Sequence, residues 1–126
     1  MKKILIVIAD YYEDISSSLL KSQKKNLNDF SLKIIRVPGV FEIPITISKN
    51  IKKYDAFIAL GCVIKGQTPH FDFISSASTQ AIMELSVHNK KPIGNGIITC
   101  LNMKQAKARS KKGKEAVKAV ISVLSQ

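Results

Sequence analysis

Residues 59–72 read ALGCVIKGQTPHFD, and this stretch carries the chain from a buried strand into a helix. The strand is the apolar run over residues 56–61, preceded by Tyr54-Asp55 and closed by Gly61. A short run of aromatic and aliphatic residues between turn signals fits a strand covered on both faces. The helix begins near His70. Between them Gly61, Gly66, Gln67, Thr68 and Pro69 form a loop that also carries Lys65. Glycine lets backbone amides come close to a ligand. A lysine and a hydroxyl beside the unbonded amides of a helix N-terminus make a cradle for an anion. His70 stands at its rim, with the side chain best suited to moving protons near neutral pH. The same residues also fit a plain strand-to-helix turn with a surface histidine, and composition does not choose between the two readings.

Outward from this stretch, strands and helices alternate. Residues 3–9 form strand one, and Asp10-Tyr11-Tyr12 is the loop leaving its carboxyl end. Asp14 is expected to cap a helix whose stripe is Ile15, Leu19, Leu20 and Leu27, running to about Asn28. Residues 32–37 are strand two, and Pro38-Gly39 is a turn before Val40-Phe41-Glu42. Pro44 suits a first helical turn, followed by Ile45, Ile47, Ile51 and Tyr54. The helix over residues 70–89 is expected to turn Ile74, Ala77, Ala81, Ile82 and Leu85 inward. Its other faces hold Ser75, Ser76, Ser78 and Thr79, small enough for close approach of another subunit or simply exposed. Residues 92–99 are strand four, Asn102 caps a short helix through Arg109, and Lys111 or Lys112 starts the last helix. Four strands alternating with helices predict one α/β domain over residues 1–126, a three-layer α/β/α flavodoxin-like fold with a four-stranded parallel sheet in the order 2-1-3-4. Tyr11, Phe41-Glu42 and the loop carrying His70 then all lie at the carboxyl edge of the sheet, where open α/β sheets bind ligands.

A chain of 126 residues is large enough for one core, and no apolar run is long enough to span a membrane. Met1-Lys2-Lys3 before an apolar run resembles the front of a signal peptide, but the run is short and Asp10, Glu13 and Asp14 follow it, so it reads as strand one. Cys62 and Cys100 lack metal-ligand spacing and need not pair, which fits a reducing, cytoplasmic setting without a bound metal. The net charge of +11 invites a nucleic-acid partner, yet eighteen of the twenty basic residues are lysine, set on polar helix faces with little aromatic interleaving. A solvated lysine surface is the expected account, with no nucleic-acid or membrane partner. Against that background Arg36 and Arg109 stand out. Arginine offers a rigid fork that lysine lacks, which makes Arg109 a candidate anion ligand.

Three segments carry a family resemblance: VPGVFEIP at residues 37–44, ALGCVIKGQTPHFD, and GNGIITCLNMKQA at residues 94–106. Together they resemble the signature segments of the lumazine synthases, in one order over nearly the whole chain. The resemblance implies a transferase of riboflavin biosynthesis that needs no cofactor. Its small-molecule substrates would be 5-amino-6-(D-ribitylamino)uracil and 3,4-dihydroxy-2-butanone 4-phosphate, its products 6,7-dimethyl-8-ribityllumazine, phosphate and water. It also implies site residues. Tyr11 would stack on the pyrimidine. Val40, Phe41 and Glu42 would contact the pyrimidine and ribityl chain, and the backbone of Cys62, Val63 and Ile64 would read the uracil edge. Gln67, Thr68 and Arg109 would hold phosphate, and His70 would transfer protons. Asn95 sits at a pyrimidine-site position that is often phenylalanine in relatives. Cys62 has no activating partner in the sequence and is not read as a nucleophile.

Several other readings compete. A flavodoxin-type FMN module would need a Ser/Thr-rich loop after strand one, where Asp10-Tyr11-Tyr12-Glu13 stands. A receiver domain would need an aspartate where Gly61 stands. The remaining alternative is a noncatalytic flavin- or lumazine-binding relative. The family resemblance further implies a homo-oligomer whose active site is shared between adjacent subunits. A pentamer is expected, then a decamer, then a sixty-subunit shell. Only two residues precede strand one to lend to a neighbour's sheet, and the segment after Arg109 looks shortened.

Overall fold

The computed structural model describes residues 1–66, 69–111 and 114–126. Its elements are β1 (Lys3–Ala9), α1 (Glu13–Lys24), β2 (Ser31–Val37), a 3-10 turn (Val40–Glu42), α2 (Ile43–Lys49), β3 (Ala56–Ile64), α3 (His70–Asn89), β4 (Ile93–Cys100), α4 (Met103–Ser110) and α5 (Glu115–Leu124). All four strands are parallel in the order β2-β1-β3-β4.

Alternation along β1 assigns the two faces of the sheet. Ile4, Ile6 and Ile8 point to one face and pack with Leu20 and Leu27, and with Val117 and Val120 of α5. Leu5, Val7 and Ala9 point to the other and meet Val40, Ile43, Ile47 and Ile82. Side chains alternate along a strand, so a strand with helices on both sides must be apolar throughout. β3 meets that demand, with every residue buried from Ala56 to Val63. Full burial of one such aliphatic side chain is worth about 1.5–3 kcal/mol, which makes β1 and β3 the spine of the domain.

The register shapes the carboxyl edge. β1 pairs β3 as far as Ile8 with Leu60, whereas β3 pairs β4 as far as Ile64 with Cys100. β3 therefore overshoots β1. This corrects the expectation that the strand closes at Gly61: Cys62, Val63 and Ile64 belong to it, because β4 supplies partners for its extra residues.

Other bounds also differ from expectation. The N-cap of α1 is Tyr12, and Asp14 lies in the first turn beside Glu13, where both carboxylates suit the helix dipole. The helix ends at Lys24, although Leu27 beyond it is buried. Ala77 is exposed; α3 buries Ser78 and Ile82, while Ile74, Ala81 and Leu85 are half-buried. α5 begins at Glu115 with Lys114 as its N-cap; Lys111 lies in a turn and Lys112 outside the described residues. Asn102 caps α4 as expected, its Oδ1 accepting the Gln105 amide at 2.9 Å.

Candidate active site

The overshoot of β3 opens a cleft of about 650 Å³ above the end of β1. Cys62, Val63 and Ile64 form one wall, Tyr11 and Tyr12 another, and Gly39, Val40, Phe41 and Glu42 a third. His70, Phe73 and Ile74 of α3 close the fourth side. The connections that follow β1, β2 and β3 at the carboxyl edge thus converge on one hollow, where open parallel sheets place ligands.

Local chemistry sets each wall. The Ser16 hydroxyl donates to the Ala9 carbonyl, and the Asp10 amide donates to the Val37 carbonyl at 2.9 Å, so the turn bearing Tyr11 is tied to both neighbours. Tyr11 is 71 % exposed and its ring meets Tyr12 edge-on, with centroids 4.9 Å apart. Burial, followed by the neighbouring Tyr11 and Cys62, raises the Tyr12 phenol above its ordinary pKa, so it is a neutral donor at physiological pH. The Glu42 amide donates to the Gly39 carbonyl at 3.2 Å, and the Thr46 hydroxyl donates to the Glu42 carbonyl at 2.8 Å. His70 is exposed and is the first residue of α3, and the Phe73 amide donates to the Pro69 carbonyl at 3.1 Å. On the other side of the intervening loop, the Lys65 amide donates to the Cys100 carbonyl at 2.9 Å, which continues the β3–β4 ladder to the lip of the cleft.

Cys62 is buried, and its thiol is pushed up to about 12. Desolvation is the main cause, then the hydrogen-bonded Cys100 thiol, with the Arg109 charge opposing weakly. A thiol held this firmly protonated is a poor nucleophile. Cys62 therefore offers the cleft its backbone and an apolar surface.

Of the twelve residues singled out from the sequence, eight line this cleft: Tyr11, Val40, Phe41, Glu42, Cys62, Val63, Ile64 and His70. Gln67 and Thr68 lie outside the described residues. Arg109 and Asn95 do not line the cleft; both border a smaller hollow of about 190 Å³ between β4 and the helices α1 and α5. Arg109 Nη1 donates to the Thr99 carbonyl at 2.7 Å and lies 3.8 Å from Cys100 Sγ. Asn95 pairs in register with Ala59, and its Oδ1 accepts the Ile97 amide at 3.1 Å. At about 3.3 Å per residue, that level is roughly 16 Å along the strand from the end of β3. Sequence reasoning passed over Tyr12 and Phe73. The doublet Tyr11-Tyr12 and the His70 to Phe73 spacing of one helical turn were the available signals.

Among the described residues, no three or more His, Cys, Asp or Glu side chains gather to hold a metal. No helix of the described residues is long and apolar enough to cross a membrane.

Fold and cleft together define a flavodoxin-like α/β protein with an aromatic-walled cleft at the carboxyl edge of its sheet and a histidine lining it. The family model for 6,7-dimethyl-8-ribityllumazine synthase matches residues 1–126. A 6,7-dimethyl-8-ribityllumazine synthase of Rhodopseudomonas palustris is 41% identical over 97% of this chain and 83% of its own length. That of Bartonella tribocorum is 42% identical over 97% of this chain and 87% of its own, and that of Bartonella bacilliformis 45% identical over 89% and 78%. The chain belongs to the 6,7-dimethyl-8-ribityllumazine synthase family.

Proposed function

We propose that the chain condenses 5-amino-6-(D-ribitylamino)uracil with 3,4-dihydroxy-2-butanone 4-phosphate to give 6,7-dimethyl-8-ribityllumazine, the penultimate step of riboflavin synthesis. The observation that carries the reading is the cleft itself, where a tyrosine face, a strand edge and His70 converge in a chain of this family. The pyrimidine lies against Tyr11, with its uracil edge along the backbone of Cys62, Val63 and Ile64. Glu42 accepts hydrogen bonds from ribityl hydroxyls, with Val40 and Phe41 packing beside them. Gln67, Thr68 and Arg109 hold the phosphate of the second substrate, and Lys65 adds positive potential nearby.

The substrate brings its own amine. Its 5-amino group attacks the ketone, and loss of one water leaves an imine. Phosphate departs by elimination, the enol tautomerises, and the ribityl nitrogen closes the ring with loss of a second water. No residue need form a covalent bond to substrate, so Lys65 is not a Schiff-base lysine. Holding the two reactants together supplies most of the acceleration, and His70 moves protons between steps.

Assembly completes the site. Asn95 of the edge strand β4 and Arg109 of α4 lie outside the cleft of their own chain, and in a ring of subunits they serve the next protomer's cleft. The chain has an apolar face to build such a ring. Pro44 and Ile45 of α2 with Met83, Leu85 and Val87 of α3 line a groove of about 830 Å³, and Ile45, Met83 and Val87 are 59 %, 62 % and 69 % exposed in one protomer. A groove of this size on an isolated chain calls for a partner, and a homopentamer covers it. Two buried thiols that remain unpaired suit a cytoplasmic protein. Mixing the two substrates with the purified chain and following lumazine absorbance tests the proposal. Pyrimidine binding without product would replace it with the noncatalytic reading.

A further inference from the structure

Arg36 and Asp10 form the sole ion pair among the described residues, with Arg36 Nη1 donating to Asp10 Oδ1 at 2.9 Å. In a chain with twenty basic and nine acidic residues, one pair is few, which makes its location informative. Asp10 is the first residue past β1 and the neighbour of Tyr11. Its amide is also bonded to β2, through the Val37 carbonyl. The turn that presents Tyr11 is therefore anchored to β2 at two points, by backbone and by side chain.

Arg36 does not line the cleft. Leu32 and Ile34 of β2 pack into the core under α1 and α5, and Arg36 follows them on that face. It reaches the site only through Asp10. The residue type is also particular, because eighteen of the twenty basic positions are lysine. Arginine holds its charge in a rigid planar fork, whereas lysine carries a rotating, strongly hydrated one.

We propose that Arg36 is a positioning residue for the pyrimidine site: through Asp10 it fixes the turn so that the Tyr11 ring stands ready to stack. This rests on the reading of the cleft given above. The pair is half-exposed, with side-chain exposures of 49% and 32%, so it contributes little to global stability. Its effect falls on the orientation of one ring, and hence on binding of one substrate.

The test compares wild type with Arg36→Met, Arg36→Lys, Asp10→Asn and the double variant Arg36→Met/Asp10→Asn. Arg36→Met and Asp10→Asn should each raise the KM for the pyrimidine by about two- to fivefold, the scale of one exposed pair. The double variant should be no worse than the poorer single, because both remove the same contact. Arg36→Lys should fall between wild type and Arg36→Met. The KM for the butanone phosphate and the melting temperature should not move. An unchanged pyrimidine KM would overturn the proposal. So would a rise in both KM values together, additive single effects, or a fall in melting temperature that accounts for the loss. If the wild-type chain makes no lumazine, the cleft reading fails and this proposal with it; normal wild-type turnover with unaffected variants removes the positioning role alone.

Discussion

A methyl group at Gly61 tests how fold and site are joined. A Cβ there would sit 2.9 Å from Val40 Cγ2, 3.2 Å from Ala9 Cβ and 3.7 Å from Ile43 Cδ1. Carbon–carbon contacts settle at about 3.5–4.0 Å, so Val40 must retreat by roughly 0.6–1 Å. Ala9 is buried in the neighbouring strand and has no room to yield. Val40 opens the turn that carries Phe41 and Glu42, so its retreat moves one wall of the cleft. Overpacking of this kind costs about 1–3 kcal/mol. At about 4 °C per kcal/mol for a domain of this size, Gly61→Ala should lower the melting temperature by about 4–12 °C. It should also raise the pyrimidine KM severalfold. Gly66→Ala is the control: nothing lies within 4 Å of its Cβ position and no described glycine has a positive φ, so its stability should stay within about 0.5 kcal/mol of wild type. Both variants are melted at one fixed protomer concentration, because assembly shifts apparent stability. A Gly61→Ala chain that melts with wild type and binds pyrimidine normally would refute the packing argument.

His70→Ala should slow turnover by roughly ten- to a thousandfold with the melting temperature preserved, and unchanged turnover with both substrates saturating would remove His70 from the mechanism. Arg109→Lys should raise the KM for the butanone phosphate more than that for the pyrimidine, since a point charge replaces a fork; equal effects in steady-state kinetics would make the arginine structural. Mixed oligomers of His70→Ala and Arg109→Ala chains should recover some activity, and none after demonstrated mixing would count against a site shared between subunits. Cys62 has a folded pKa of about 12 against an ordinary 9.0, so its neutral burial stabilises the fold fully below pH 9.0 and loses that contribution as pH climbs toward 12. The stability gap between wild type and Cys62→Ala, read from urea titrations, should therefore narrow over that range; a gap that widens would contradict the assigned direction. Light scattering at physiological salt should give the mass of five chains, and a stable monomer would undermine both the ring and the shared site.

The sequence by itself determined the fold class, because short apolar runs bounded by turn signals alternate four times with helical stripes of period 3.6. β1 and α3 even run between the residues expected, since Ala9 precedes a polar loop and His70 follows a proline. Of the eight expected site residues that line the cleft, seven fall in the three segments that resemble a family, and Tyr11 after β1 is the eighth. What the sequence left open was settled by pairing between distant segments. Sequence alone ends β3 at Gly61, because the partners of Cys62, Val63 and Ile64 lie on β4, more than thirty residues away. Periodicity turns Ala77 inward, yet α3 touches the core along a narrow line and leaves an apolar face that one chain does not cover. Tyr12 and Phe73 join the site only where β1, β3 and α3 meet in space. The placement of Arg109 and Asn95 outside the cleft that holds His70, and the Arg36–Asp10 ion pair beside Tyr11, were likewise decided by tertiary structure, because periodicity reports which way a residue faces and not which distant residue it meets.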